Sequence, residues 1–506
     1  MDRDAKRMAV LISKSPDLLE MCRAAWHNQV IPYYDLCAGC GSLPHFLRRL
    51  EVHLEEQVQI IVKFECLLHC DIDKTSRNFI IYCTPNSTVP VFGNMSDILS
   101  PRAWCYRAQD YVDVPRRGSN GAPPKVISGI DCGAASNANN HRKDCGETLS
   151  RRDSKTAATF HLTQAVCNLV QATTVLYENS RNVEGKTVEV SVWDEMRVFM
   201  RSASEPPFVG SLVQLAADDT CMQTRKRAYM YFRRGAKGLA APENKWECLC
   251  HQLAEAFIPK DPIEASFLSG SDASKCPWIA QFSGVKRMGC PYERDLASAE
   301  QDYVERSLTW PPVLDSRRET YNIPEGGFFG GVGNSHTGLC ERSKFVMHWL
   351  GNTQDCFTTP MKPQDVVGVL ALNASVSRFQ KRIAGIQKKF NKQFSSLPVP
   401  PPDPMIKDWV PTVTQKAEWW GHIPSDDPEV CRSSILSPQE HFAFQMMPLV
   451  DLLPEGTDLA DAAEKFGYFE MVSLAGRAFN LHNIIEAFLA VSICEGVDYL
   501  PAVPDA

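Results

Sequence analysis

Three turns in the first hundred residues carry the side chains best suited to holding a small ligand. The first is Asp35-Leu36-Cys37-Ala38-Gly39-Cys40-Gly41-Ser42, which follows a strand-like run and precedes a helix-like stretch from Leu43 to Leu50. Glycines at such a place let backbone approach a ligand, and a helix start offers it free N–H groups. Taken alone, a tight packing turn explains the motif equally well. Cys70-Asp71-Ile72-Asp73 ends the next strand-like stretch. An acid there can accept hydrogen bonds from ribose hydroxyls, although an acid in a solvated loop is the plain alternative for Asp71 by itself. Val91-Phe92-Gly93-Asn94-Met95 makes a third strand-end turn. Three consecutive strand ends bearing polar groups fit a nucleoside-containing cofactor at the carboxyl edge of a sheet.

Other features are less specific. The stretch Val376 to Lys392 contains Arg378, Lys381, Arg382, Lys388, Lys389 and Lys392 and no acid, with Phe379 and Phe390 interleaved. On a helix it forms a basic stripe that either tracks phosphates or faces solvent. Cys248-Leu249-Cys250-His251 has metal-ligand residue types, but no second pair stands at zinc spacing, so no metal is expected. Gly326-Gly327-Phe328-Phe329-Gly330-Gly331-Val332-Gly333-Asn334 is either a loop that approaches a partner closely or a linker.

The elements around these turns alternate. Ile31–Leu36, Val58–Phe64, Lys125–Ile130 and Thr173–Tyr177 are β-rich runs, and Thr156 to Gln171 is helical in pattern. Strands alternating with helices imply a parallel α/β sheet. Past Gly235 the chain becomes rich in Pro, Gly, Trp and Cys, with a stiff connector at Leu397–Pro404. Regular helix returns near Ser437 and runs to about Val491. The expected organisation is an N-terminal extension (1–30), an α/β domain (31–235), an irregular insert (236–435) and a return to the first domain (436–506).

Length and composition bound the possibilities. At roughly 150 residues per domain, 506 residues suggest two to four domains. Apolar residues at 44% and charged residues at 22% exclude whole-chain disorder, collagen and coiled coil. A net charge of −7 excludes a globally basic nucleic-acid binder but not a local basic face. No run reaches the 18 or so apolar residues of a membrane span, so no membrane association is expected. Nineteen cysteines without a secretory start point to reduced thiols and an intracellular protein.

The order of motifs resembles the cytosine-C5 DNA methyltransferase family. Asp35–Gly41 looks like its first motif, which binds S-adenosylmethionine. Ser128-Gly129-Ile130-Asp131-Cys132-Gly133-Ala134-Ala135-Ser136 looks like the nucleophile loop, and Tyr177-Glu178-Asn179-Ser180 like the Glu-Asn-Val motif. Met222-Gln223-Thr224-Arg225-Lys226-Arg227 matches Gln-x-Arg-x-Arg. Ile435–Glu440 resembles Leu-Thr-Pro-Arg-Glu, and Leu474-Ala475-Gly476-Arg477-Ala478-Phe479-Asn480 the closing Gly-Asn-Ala motif. The likeness covers 31–235 and 436–495. The insert has the position of the family's target-recognition domain but carries no matching motif.

The resemblance implies a doubly wound S-adenosylmethionine-dependent methyltransferase sheet with a smaller irregular recognition domain. It implies Asp35, Cys37, Gly39, Gly41, Asp71, Ile72, Asn94, Met95, Gly476, Arg477 and Ala478 around the cofactor. Cys132 would be the nucleophile, Glu178 would hold the cytosine edge, and Arg225 and Arg227 would orient both. Ser136 and the basic stripe would contact nucleic acid. DNA is the expected partner, which would put the protein in the nucleus; tRNA is the alternative substrate. The chain departs from the family at Asp131, Gly133, Ser180 and Arg477. Asp131 beside Cys132 disfavours the thiolate unless it is turned away or paired. A catalytically silent DNA- or chromatin-binding module of the same fold is therefore a further reading.

Overall fold

The computed structural model describes residues 1–130, 149, 155–184, 190–202, 205–217, 226–235, 243–257, 368–371, 419–423, 432–435 and 437–497. The chain divides into two compact units. The first comprises Met1–Lys260, Gln445–Gly456 and Arg477–Ala506; the second comprises Asp261–Phe444 and Thr457–Gly476.

The first unit opens with helices α1 (Asp2–Lys14) and α2 (Pro16–Trp26), then strand β1 (Gln29–Leu36). There follow α3 (Ser42–Val58), β2 (Val62–Cys70), α4 (Lys74–Cys83), β3 (Val91–Phe92) and α5 (Met95–Ile98). A small hairpin, β4 (Arg102–Cys105) and β5 (Asp110–Asp113), precedes β6 (Lys125–Gly129). Then come α6 (Lys155–Leu169), β7 (Thr174–Ser180), α7 (Val192–Ser202), β8 (Phe208–Ala216), β9 (Lys226–Arg234) and α8 (Glu243–Ala254).

Seven strands form one sheet in the order β3-β2-β1-β6-β7-β9-β8. The pairs from β3 through β7 are parallel, while β9 runs antiparallel to both β7 and β8. This is the doubly wound α/β architecture expected from the sequence. Its parallel strands must be covered on both faces, and β7 is accordingly buried at every residue. Leu36 pairs with Cys70 on one side and Ser128 on the other; Cys70 pairs with Phe92 and Ser128 with Tyr177. That row is the carboxyl edge of the sheet. Residues one step beyond it come from five strand ends.

Among the strand boundaries that differ from expectation is the start of β2. Val58 ends α3 rather than starting a strand, because Gln59 adopts a left-handed backbone (φ 55°) and its N–H closes on Glu55 O at 3.2 Å. β2 begins only at Val62. The β-rich composition of 58–60 served a helix terminus instead.

The second unit contains a three-stranded antiparallel sheet of β10 (Gly368–Ala371), β11 (Trp419–Ile423) and β12 (Arg432–Ile435). Its helices include α9 (Pro438–Phe444), α11 (Leu459–Lys465) and most of α12 (Tyr468–Arg477). Between them α10 (Leu449–Leu452) belongs to the first unit, as does the closing helix α13 (Leu481–Val497). No helix among the described residues is long and apolar enough to cross a membrane.

Residues 1–30 are packed into the first unit. Trp26 is fully buried, its Nε1 donates to Ser492 Oγ at 3.2 Å, and its ring meets Phe64 edge-on at 5.7 Å. The first unit also runs past Gly235, because α8 buries Trp246 beside α13, Nε1 donating to Ala487 O at 3.5 Å. Trp26→Ala should therefore cost about 3–5 kcal/mol in chemical denaturation. A loss under 1 kcal/mol would show that the N-terminal helices are an appendage.

Candidate active site

The turn after β1 is built on unusual backbone. Cys37 (φ 56°), Gly39 (φ 57°) and Gly41 (φ 65°) are all left-handed. Non-glycine residues adopt this conformation at a cost, so the two glycines are the residues that make the turn affordable. Gly41 immediately precedes α3, and no side chain caps that helix start. Gly39 N–H donates to Asp71 Oδ2 at 2.9 Å, and Asp73 N–H donates to Asp71 Oδ1 at 2.9 Å. Asp71 thereby ties the end of β1 to the end of β2. Burial pushes its pKa up to about 6, against the pull of those two N–H groups. Each carboxylate oxygen retains a further lone pair for an incoming donor. Ile72 beside it is 78% exposed.

The closing segment of the chain returns to this turn. A Cβ on Gly39 would lie 3.3 Å from Ala478 Cα, and one on Gly129 would lie 3.0 Å from the Phe479 ring. Phe479 thus covers the end of β6, near Cys37. Arg477 forms an ion pair with Asp73, the N-cap of α4, whose carboxylate also accepts from Ser76 N–H at 2.9 Å. Arg477 and Asp73 keep 30% and 25% of their side chains exposed. Gly476 lies in α12, in the second unit.

At the third strand end Asn94 caps a short helix. The Asn94 side chain accepts from Ser96 N–H at 3.0 Å, and Asp97 reciprocates to Asn94 N–H at 3.3 Å. This capping box commits the Asn94 carbonyl to starting α5. Met95 is buried, with its sulfur 3.5 Å from Thr163 Oγ1.

Farther along the same edge, Glu178 lies two residues before the end of β7. Arg227 Nε stands 2.7 Å from Glu178 Oε1, and both side chains are largely buried. The antiparallel register of β7 and β9 explains the contact: Ser180 pairs with Arg227 and Glu178 with Tyr229, so the two side chains are diagonal neighbours. Ile130 N–H donates to Glu178 O at 3.1 Å, which fixes the exit of β6 beside this pair. Asn179 Nδ2 donates to Ile130 O at 3.4 Å, adding a second tie. Cys132, Ser136, Arg225, Arg378, Lys381, Arg382, Lys388 and Lys389 lie outside the described residues.

Sequence reading missed His69. It pairs with Asp35 in the parallel register of β1 and β2, and its Nδ1 lies 3.0 Å from Asp35 Oδ2. Both are buried. Burial opposes charge on the ring, but Cys66 and the Asp35 hydrogen bond outweigh it and hold the His69 pKa up at about 10. The ring is charged at neutral pH and anchors β2 beneath the turn that follows β1. Nothing in local spacing reveals this, because the partners meet only across strands.

No protein-family model matches the chain, and no curated protein matches it. Among solved structures, it is similar to the Dnmt2 methyltransferase of S. pombe at 12% identity and a TM-score of 0.36, over 93% of this chain and 100% of that one. It is similar to the methyltransferase EhMeth of Entamoeba histolytica at 9% identity and a TM-score of 0.40, over 92% and 99% of the two chains. A DNMT2 variant from Spodoptera frugiperda gives 12% identity and a TM-score of 0.35, over 92% and 98%. The functional reading therefore rests on the geometry of the site.

The raised His69 pKa makes a signed prediction. Its stabilisation is complete below the ordinary histidine value of 6.5 and is lost as pH rises toward 10. His69→Asn should cost about 3 kcal/mol at pH 6, as for other broken buried pairs. The gap between variant and wild type should narrow on denaturant curves taken at successively higher pH. A gap that stays constant from pH 6 to pH 10 would contradict a charged His69.

Proposed function

We propose that this chain is an S-adenosylmethionine-dependent methyltransferase that methylates C5 of cytosine in DNA. The observation that carries this reading is the meeting, at one sheet edge, of the Gly39–Asp71 cradle and the Glu178–Arg227 pair. Phe479 lies against Gly129, near Cys37.

The residues present fit the cofactor. The left-handed turn and the uncapped start of α3 offer main-chain donors. Asp71 supplies acceptors for vicinal hydroxyls, and the exposed side chain of Ile72 supplies an apolar face for a purine. Asp35, Cys37 and Gly41 shape the turn, Asn94 and Met95 its neighbour, and Arg477 and Ala478 the closing side. When bound, the group supplies an electrophilic methyl on sulfur.

The base half follows from the remaining residues. Cys132, two positions beyond Ile130 in the chain, adds as thiolate to C6 of a base turned out of its stack. This makes C5 enamine-like and nucleophilic. Glu178 holds N3 and the exocyclic amine, favouring the protonated adduct. Arg227, joined by Arg225, orients Glu178 through charge-assisted hydrogen bonds. Once C5 carries the methyl group, a base removes the C5 proton and the thiolate leaves. Ser136 and the cations Arg378, Lys381, Arg382, Lys388 and Lys389 contact the nucleic acid. A nuclear location follows if the substrate is chromosomal DNA.

Two experiments test the halves separately. Ribose hydroxyls donate to the ionised form of Asp71, so cofactor affinity should rise as pH climbs from 5 through about 6 and then level off. Asp71→Asn should weaken binding about tenfold at pH 7.5 and flatten that pH profile in calorimetry. An unaltered profile would remove Asp71 from the site. For the base half, wild type should form a denaturation-resistant adduct with a 5-fluorocytosine duplex in the presence of cofactor, and Cys132→Ser should not. Bisulfite sequencing of DNA and tRNA incubated with the protein identifies the substrate. Modification of tRNA alone would overturn the DNA assignment, and modification of neither would leave a binding module.

A further inference from the structure

The loop that carries Asp71 and Ile72 is held from beneath by a residue outside every motif. Arg77 lies one turn into α4 and is 8% exposed. Its Nη1 donates to Asp71 O at 2.8 Å and to Ile72 O at 2.6 Å. Among the described residues no carboxylate pairs with it. Its other support is aromatic: the guanidinium carbon stands 4.0 Å from the ring centroid of Tyr106. Tyr106 in turn is stapled to β3, its N–H donating to Val91 O at 2.8 Å. Gly93 at the third strand end leaves room for that ring, since a Cβ there would approach Tyr106 Cε2 to 2.9 Å.

A buried cation without a carboxylate is costly, so its retention needs strong local compensation. Here that compensation comes from two consecutive carbonyls and a ring face. Two carbonyls bound to one guanidinium fix two successive peptide planes. Fixing those planes holds the Asp71 carboxylate against Gly39 N–H and leaves the Ile72 side chain outside. An acceptor and an apolar face at fixed separation suit the ribose and base of an adenosine.

We propose that Arg77, backed by Tyr106 and Gly93, is a positioning residue that preorganises the adenosine half of the cofactor site. This rests on the cofactor reading above. It assigns Gly93 a purpose that the turn motif alone did not reveal: the glycine admits the ring that supports the arginine. Preorganisation raises affinity by removing the ordering cost of the loop. The loss on breaking the clamp should therefore be common to every ligand that contains adenosine, whatever its sulfur-bearing half.

Calorimetry on the full chain with S-adenosylmethionine and with adenosine tests this. Arg77→Met keeps the apolar stem but removes the donors. It should weaken both ligands about tenfold with the binding stoichiometry unchanged. Arg77→Lys should recover part of the loss. Tyr106→Phe keeps the ring and should bind as wild type, whereas Tyr106→Leu and Gly93→Ala should weaken binding as Arg77→Met does. An unchanged dissociation constant in Arg77→Met, with normal binding by wild type, would overturn the clamp and leave the methyltransferase reading intact. A reduced stoichiometry at unchanged affinity would also overturn it, since that marks general support of the fold. Failure of wild type to bind either ligand would bring down the cofactor reading and this inference together.

Discussion

The sheet edge depends on a close main-chain approach at Gly39. At Gly39 the backbone is left-handed and a Cβ would stand 3.3 Å from Ala478 Cα. Residue 39 lies near the start of the chain and residue 478 near its end, so this contact closes a very long loop. Loop closure costs entropy, although the cost grows only slowly with length. The closing helix α13 offsets it by burial: Ile484, Ile485, Phe488 and Leu489 are at most 1% exposed. Because Gly39 N–H also reaches Asp71, a single residue sets the mutual position of three segments. Phe479 follows directly and seats against Gly129, which extends the same constraint to β6. A larger residue at position 39 would therefore disturb β1, β2 and the C-terminal return at once.

Two kinds of bonding share that edge. Around Asp71, neutral main-chain N–H groups meet a carboxylate, and their directions are fixed by backbone. Around Glu178, a guanidinium meets a carboxylate through long side chains, placed by the antiparallel hairpin of β8 and β9. The first arrangement suits a ligand held in one pose. The second suits a base that arrives and departs, because side-chain ion pairs can exchange partners with little backbone cost. The sheet's change from parallel to antiparallel at β7 supplies both from one edge.

Much of the fold was legible because buried parallel strands are continuous apolar or aromatic runs. β1, β6 and β7 begin or end close to the runs that announced them. The failure at Val58–Ile60 has a physical cause: a helix terminus and a strand can share the same β-branched residues, and only the left-handed Gln59 separates them. The turn residues were legible because each closes a strand in sequence, and Glu178 because it sits late in one. His69, Arg77 and Tyr106 were not. They work through cross-strand register, reach from the first turn of a helix, and stacking between distant segments, none of which leaves a local pattern. Asn94 was legible as a strand-end polar group, but its capping of α5 depended on Asp97 and on a helix only four residues long.

Arg477 departs most plainly from the pattern of the family that the sequence resembles, where a small amide would follow the glycine. In sequence the change reads as damage to a cofactor pocket. In the structure its guanidinium turns to Asp73, the cap of α4, and lies close enough to influence Asp71. Burial drives the Asp71 carboxyl upward, as does the negative charge of Asp73. The two N–H groups and Arg477 pull it back, and the balance settles at about 6. At neutral pH that leaves Asp71 ionised and able only to accept hydrogen bonds, the form a pair of ribose hydroxyls requires. Without Arg477, Asp73 would stand unneutralised beside Asp71, and the balance would move toward the protonated acid. The arginine thus compensates within the loop it approaches: it offsets the charge of the helix cap while favouring the acceptor form of its neighbour. The substitution is therefore compatible with the proposed cofactor site, built on a different electrostatic balance from the one the motif implies.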